Sequence, residues 1–170
     1  AGKYAMVNYW VQDESNEAAD LRAASRILKK VHCEHLEHQP WAFFSQGERQ
    51  RLLIGRALMA SKLDVLILDE PCAGLDPMAR ENFLKFLGEL TAKGTFKSLI
   101  MVTHHVEESP PSFTDVLLLR EGHVVAQGPI EITLTEENLS ATFGLPLALE
   151  RHGDRWSARA RNGTGTPGAA

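Results

Sequence analysis

The stretch Val65-Leu66-Ile67-Leu68-Asp69-Glu70-Pro71 decides the fold of this chain. Four apolar residues run without a break and end in two carboxylates and a proline. A run that short, bounded by Asp-Glu-Pro, reads as a strand buried on both faces, as in a parallel sheet.

Working outward, Pro77 to about Lys93 carries Phe83, Leu84, Phe86, Leu87 and Leu90 at helical spacing, with Gly94 as its stop. Ser98 to Thr103 repeats the strand pattern. Upstream, Ala18, Leu21, Ala24, Ile27 and Leu28 predict a helix over about 17–31, and a second helix follows from about Gly47 to Ala60. A loop broken by Pro40 joins them. Downstream, Val116 to Leu119 and Val124 to Ala126 flank Glu121-Gly122 and predict a hairpin. A last short helix runs from about Glu136 to Phe143, capped by Thr135 and stopped by Gly144. From Asn162 the Gly-, Thr- and Pro-rich end is expected to be flexible. Strands alternating with helices give an α/β fold with a largely parallel sheet, whose ligands sit at the carboxyl ends of the strands.

Bulk properties set outer limits. With 44% hydrophobic and 24% charged residues the composition is that of a soluble globular protein. No apolar run is long enough to cross a bilayer. The net charge of -4 argues against a nucleic-acid partner recognised by charge alone. Cys33 and Cys72 are widely spaced and form no CxxC pair, which favours a reduced, cytoplasmic setting and makes the sequons at Asn138 and Asn162 chance matches.

Three segments carry chemistry. Asp69 and Glu70 stand where a strand leaves the sheet, a place where one carboxylate can hold Mg²⁺ and its neighbour polarise water; an acidic turn is the plain alternative. Ser45 followed by Glu48 is a capping box that needs no function, yet Ser45, Gln46, Gly47 and the first-turn amides also make an anion site. His104 follows the second strand, where an imidazole can donate to a phosphate oxygen. His32, Cys33, His35 and His38 fit no common zinc spacing and read as a solvated loop. Arg151, Arg155, Arg159 and Arg161 make the end basic, with Trp156 among them.

Taken in order, these segments resemble the second half of an ABC ATPase nucleotide-binding domain. Phe44 to Glu48 (FSQGE) is similar to the family signature, usually LSGGQ, with departures at Gln46 and Glu48. Leu66 to Glu70 looks like Walker B, Ala73 to Asp76 the D-loop, and His104 the switch histidine. The resemblance implies a partial P-loop NTPase (RecA-like) ABC ATPase domain with a helical signature subdomain and a terminal β-hairpin. It divides the chain into a helical subdomain over 1–60, a partial RecA-like core over 61–150 and a basic, mostly flexible tail over 151–170. It further implies Asp69 on Mg²⁺, Glu70 orienting or deprotonating water, and His104 at the γ-phosphate of ATP. Ser45 and Gly47 would contact the γ-phosphate held by an opposite subunit in a head-to-tail dimer, with Gln46 and Glu48 beside it, Gln46 altering the fit and Glu48 adding negative charge, and with Asp76 coupling the two sites. A membrane permease would be the further partner, with the chain at the inner face of the membrane.

No G-x-x-x-x-G-K-[ST] sequence occurs in these residues; Gly2-Lys3 and Gln12 are poor substitutes for a P-loop and a Q-loop. The chain alone is therefore expected to bind ATP weakly, as a truncated part of an ATPase subunit, or else to serve as a non-catalytic dimerising module. A chromosome-maintenance or DNA-repair ATPase head is disfavoured, because about four helical turns precede the signature where a long coiled coil would be required. Unpaired sheet edges predict self-association, and sedimentation at high concentration tests this: a strictly monomeric mass would count against it.

Overall fold

A computed structural model describes residues 14–60 and 62–161, with side chains from Asp20 onward. Gly2-Lys3, Gln12 and the end from Asn162 lie outside the described residues. The elements are α1 (Glu14–Lys30), α2 (Gln46–Leu58), β1 (Val65–Asp69), α3 (Pro77–Ala92), β2 (Ser98–Val102), β3 (Asp115–Arg120), β4 (His123–Pro129), α4 (Ile130–Thr133), α5 (Glu136–Phe143), β5 (Leu147–His152) and β6 (Arg155–Ala160). Short 3₁₀ turns cover Glu34–Leu36, Trp41–Phe43 and Val106–Glu108. The chain divides into two compact units after His104.

In the first unit β1 and β2 pair in parallel, Val65 opposite Ser98 through Asp69 opposite Val102. Their inner face, Leu66, Leu68, Leu99 and Met101, packs on α3 through a core containing Phe83, Leu84, Phe86, Leu87 and Leu90. Val31, Ile54 and Phe96 join that core, so α1 and α2 share one hydrophobic centre with β1 and α3. Asp76 starts α3 by accepting from the Ala79 amide at 2.9 Å, and Pro77 supplies a fixed φ at the first helical position.

One expectation needs correction. β1 is not buried on both faces: burial alternates along it, and Val65, Ile67, Ile100 and Val102 remain 46%, 63%, 49% and 48% exposed. The described helices of this unit pack on the inner face alone, so the continuous apolar run keeps one open side.

The second unit holds two antiparallel hairpins. β3 and β4 join through Glu121 and Gly122, with φ of 51° and 79°, the left-handed pair that a tight two-residue turn requires. β5 and β6 turn at Gly153-Asp154, pairing Leu149 with Ala158 and Arg151 with Trp156. Leu147, Leu149, Trp156 and Ala158 pack against Leu118, Ile130, Leu134 and Leu139. From residue 151, where a basic tail was expected, the chain ends β5, turns at Gly153-Asp154 and forms β6 as far as Ala160. Its arginines are held by carboxylates, Arg151 by Glu131, Arg159 by Glu150 and Arg161 by Glu136, and Arg151 also lies 4.9 Å over the Trp156 ring. The signal for this hairpin was Gly153-Asp154 between two alternating segments, masked by the density of arginine.

Leu84, 1% exposed between α3 and the sheet, tests this core. Leu84→Ala is expected to destabilise the chain by about 2–5 kcal/mol, read from the urea midpoint; a change below about 1 kcal/mol would mean that α3 does not close the core as described.

Candidate functional site

Parallel register brings the first group of site residues together. Because Asp69 lies opposite Val102, the residues leaving both strands emerge side by side. The Glu70 amide donates to the Val102 carbonyl at 2.9 Å, which extends the ladder one step past β1. Two residues beyond Val102, His104 Nδ1 lies 2.7 Å from Glu70 Oε1. Glu70 adopts a φ of 45°, a left-handed conformation uncommon for a non-glycine residue. That geometry bends the chain sharply into the turn through Pro71 and Cys72, where the Ala73 amide returns to the Glu70 carbonyl at 3.1 Å. Asp69 and His104 are exposed, and Glu70 is partly buried. The arrangement offers a carboxylate fixed by an imidazole, beside a second carboxylate open to solvent. Asp76, by contrast, spends its side chain on capping α3.

The second group sits at the start of α2. Ser45 is the N-cap and the capping box is complete: the Glu48 amide reaches Ser45 Oγ at 3.4 Å, and the Ser45 amide donates to Glu48 Oε2 at 2.8 Å. The Ser45 hydroxyl also donates to Oε2, at 2.7 Å. Sequence reasoning missed the partner of the other oxygen. His35 Nε2 lies 2.9 Å from Glu48 Oε1. These hydrogen bonds, that of His35 first and those of Ser45 next, lower the Glu48 carboxyl to about 2. Gly47 is not forced by crowding, since a Cβ there would meet only Leu75 Cδ2 at 3.9 Å. Leu75, in the loop leading to Asp76, thus lies near the first turn of α2. A cavity of about 410 Å³ opens beside it, lined by Ser45, Gly47, Glu48 and Arg51 from α2 and by Asn82 and Lys85 from α3.

The histidine and cysteine cluster disperses in the structure. Cys33 is fully buried and burial raises its thiol pKa, His32 pairs with Glu89 at 3.8 Å, and His35 binds Glu48. Among the described residues no group of three His, Cys, Asp or Glu side chains could hold a metal ion; a lone carboxylate such as Asp69 would leave most of the shell of an Mg²⁺ to water. That is the usual way this ion is bound, and a single exposed carboxylate at a strand end fits it. No described helix is long and apolar enough to cross a membrane.

The model of the ABC transporter family matches residues 5–73. The uncharacterized ABC transporter ATP-binding protein YlmA of Bacillus subtilis (strain 168) is 38% identical over 155 residues, 91% of this chain and 57% of that protein. The chain spans about half the length of the curated relatives it matches. Among solved structures, an ABC transporter classed as metal-chelate type, in an inward-facing conformation, superposes with a TM-score of 0.75 at 26% identity, covering 92% of this chain and 61% of that one. The ADP-bound ATP-binding cassette MJ1267 gives a TM-score of 0.62 at 24% identity, over 82% of this chain and 50% of that one, which is a likeness of fold. The chain is thus similar to ATP-binding proteins of ABC transporters, and its fold resembles that of their α/β cassettes.

The Glu48 cluster makes a pH-dependent contribution to stability. Its carboxyl is lowered from an ordinary 4.5 to about 2, so the stabilisation is present above pH 4.5 and is lost as pH falls toward 2. Urea midpoints measured from pH 6 to pH 2.5 should therefore fall more steeply for the parent than for Glu48→Gln; parallel curves would contradict the assigned hydrogen bonds.

Proposed function

We propose, proceeding from kinship with the ATP-binding proteins of ABC transporters, that these residues supply the signature, Walker B, D-loop and H-loop parts of an ATP-hydrolysing transport subunit. The observation that carries this reading is the 2.7 Å contact between Glu70 and His104 at the carboxyl ends of adjacent parallel strands, with Asp69 beside it.

Each residue then has a task. Asp69 would take Mg²⁺, through water or directly, and the ion would supply charge neutralisation at the phosphates. His104 holds Glu70 by Oε1, which leaves Oε2 to accept a proton from, or orient, the attacking water. His104 is also close enough to the strand ends to donate to a terminal phosphate oxygen. Gln46 and Gly47 would present first-turn amides, which lack partners within the helix, and Ser45 its hydroxyl once that is released from Glu48 Oε2, to the γ-phosphate of ATP on an opposing subunit. Asp76, fixed as the cap of α3 and next to Leu75, which lies near Gly47, would link that helix start to the strand-end carboxylates.

The absence of G-x-x-x-x-G-K-[ST] from these residues leaves the adenine and β-phosphate to be held by other polypeptide, so the chain by itself should bind ATP weakly. Partners are a second cassette arranged head to tail and a membrane permease, with the subunit at the inner face of the membrane. The open apolar side of β1 and β2 favours association, and it also suits the alternative of a non-catalytic dimerising module.

Glu70→Gln separates the two readings. In a protein joining these residues to a P-loop, it should lower ATP turnover by about 10²–10⁴-fold while sparing ATP binding. Unchanged turnover would remove Glu70 from the chemistry, and a protein that binds Mg-ATP without turnover before any substitution would favour the non-catalytic module.

A further inference from the structure

We propose that His35 is a positioning residue for the anion-facing turn of α2: by pairing with Glu48 it compensates the carboxylate charge and frees the Ser45 hydroxyl to bind phosphate. The proposal rests on the preceding reading of that turn as phosphate-facing, and assigns a residue outside the four-residue segment to its operation.

The turn presents a conflict. Helix amino termini attract anions, yet Glu48 places a carboxylate in the first turn and accepts the Ser45 hydroxyl proton on Oε2 at 2.7 Å. A hydroxyl committed in that way cannot donate to a phosphate. Its release would strip the carboxylate of one donor while a second anion approaches. His35 resolves both difficulties from the opposite side. Its Nε2 serves Oε1 at 2.9 Å, and the Ser45 amide still serves Oε2 at 2.8 Å, so Glu48 keeps a donor on each oxygen after the hydroxyl rotates away. A protonated imidazole makes the pair neutral as a unit; a neutral one leaves the full negative charge beside the turn.

Neighbouring charges do not take over this task. Arg49 donates to the Trp41 and Ala42 carbonyls, and Arg51 lies beside the Cys33 thiol. Glu37 accepts the Ser25 hydroxyl at 2.6 Å. From the facing helix, Glu89 is paired with His32, and Lys85 lines the cavity without an ion pair to Glu48. Glu34 shares the 3₁₀ turn with His35 and adds negative charge to the same surface. His35 is 56% exposed and can be replaced without opening the core.

The test uses the full chain and sulfate, a dianion that does not titrate between pH 5.5 and 8. Chemical shifts of the Gln46 and Gly47 amides report binding, and those of the His35 imidazole report its protonation. The parent should bind sulfate about three- to tenfold more weakly at pH 8 than at pH 5.5; this is the size expected for one partly screened charge a few ångströms away. His35→Gln should bind weakly at both pH values. Glu48→Gln should be insensitive to pH, and adding His35→Gln to it should change nothing further. If sulfate shifts both amides but with the same pH profile in the parent and His35→Gln, the proposal fails while the phosphate-facing reading stands. If sulfate shifts neither amide in any variant, that reading fails and the proposal with it.

Discussion

Parallel pairing of β1 with β2 is the constraint on which the rest of the first unit depends. Two strands running the same way must release their chains at the same edge, so Asp69, Glu70 and His104 meet although 34 residues separate the last two. The crossover that allows this is α3, and its apolar side is what fixes the strands to the helices. The chemistry at the strand ends is therefore only as well placed as the packing of Phe83, Leu84 and Leu87 beneath the sheet.

The helix starts follow a second rule. Ser45, Asp76 and Thr135 each accept from a first-turn amide, and each stands where the chain enters a helix from an extended segment. At α5 that is purely structural. At α2 the same cap coincides with a cavity and with a carboxylate held on both oxygens, so structural and functional uses of one hydrogen-bond set overlap. Under the proposed reading the capping box and an anion site would be two states of the same donors, with the hydroxyl of Ser45 as the shared group.

Much of this was legible in the sequence, because periodicity and caps are local. The boundaries of α5 and the β3–β4 turn are local effects of Thr135, Gly144 and Glu121-Gly122, and the β1 run reported its strand directly. What was not legible was non-local. The pairing of His35 with Glu48 joins residues 13 apart through a loop of irregular backbone, and no spacing rule reports that. Nor could an unbroken apolar run reveal how many of its faces the described helices cover. The β5–β6 hairpin was hidden because its arginines read as a solvated end, while two of their carboxylate partners, Glu131 and Glu136, lie on other elements of the same unit.

Glu70 also sets a limit on how this chain can change. A left-handed backbone at a long side chain carries a cost on the order of 1–3 kcal/mol, which glycine or asparagine at the same place would largely escape. Drift toward a sturdier fold thus runs through the loss of the one carboxylate that His104 holds. Under the role proposed for Glu70, thermodynamic relief and chemical usefulness are opposed at this position.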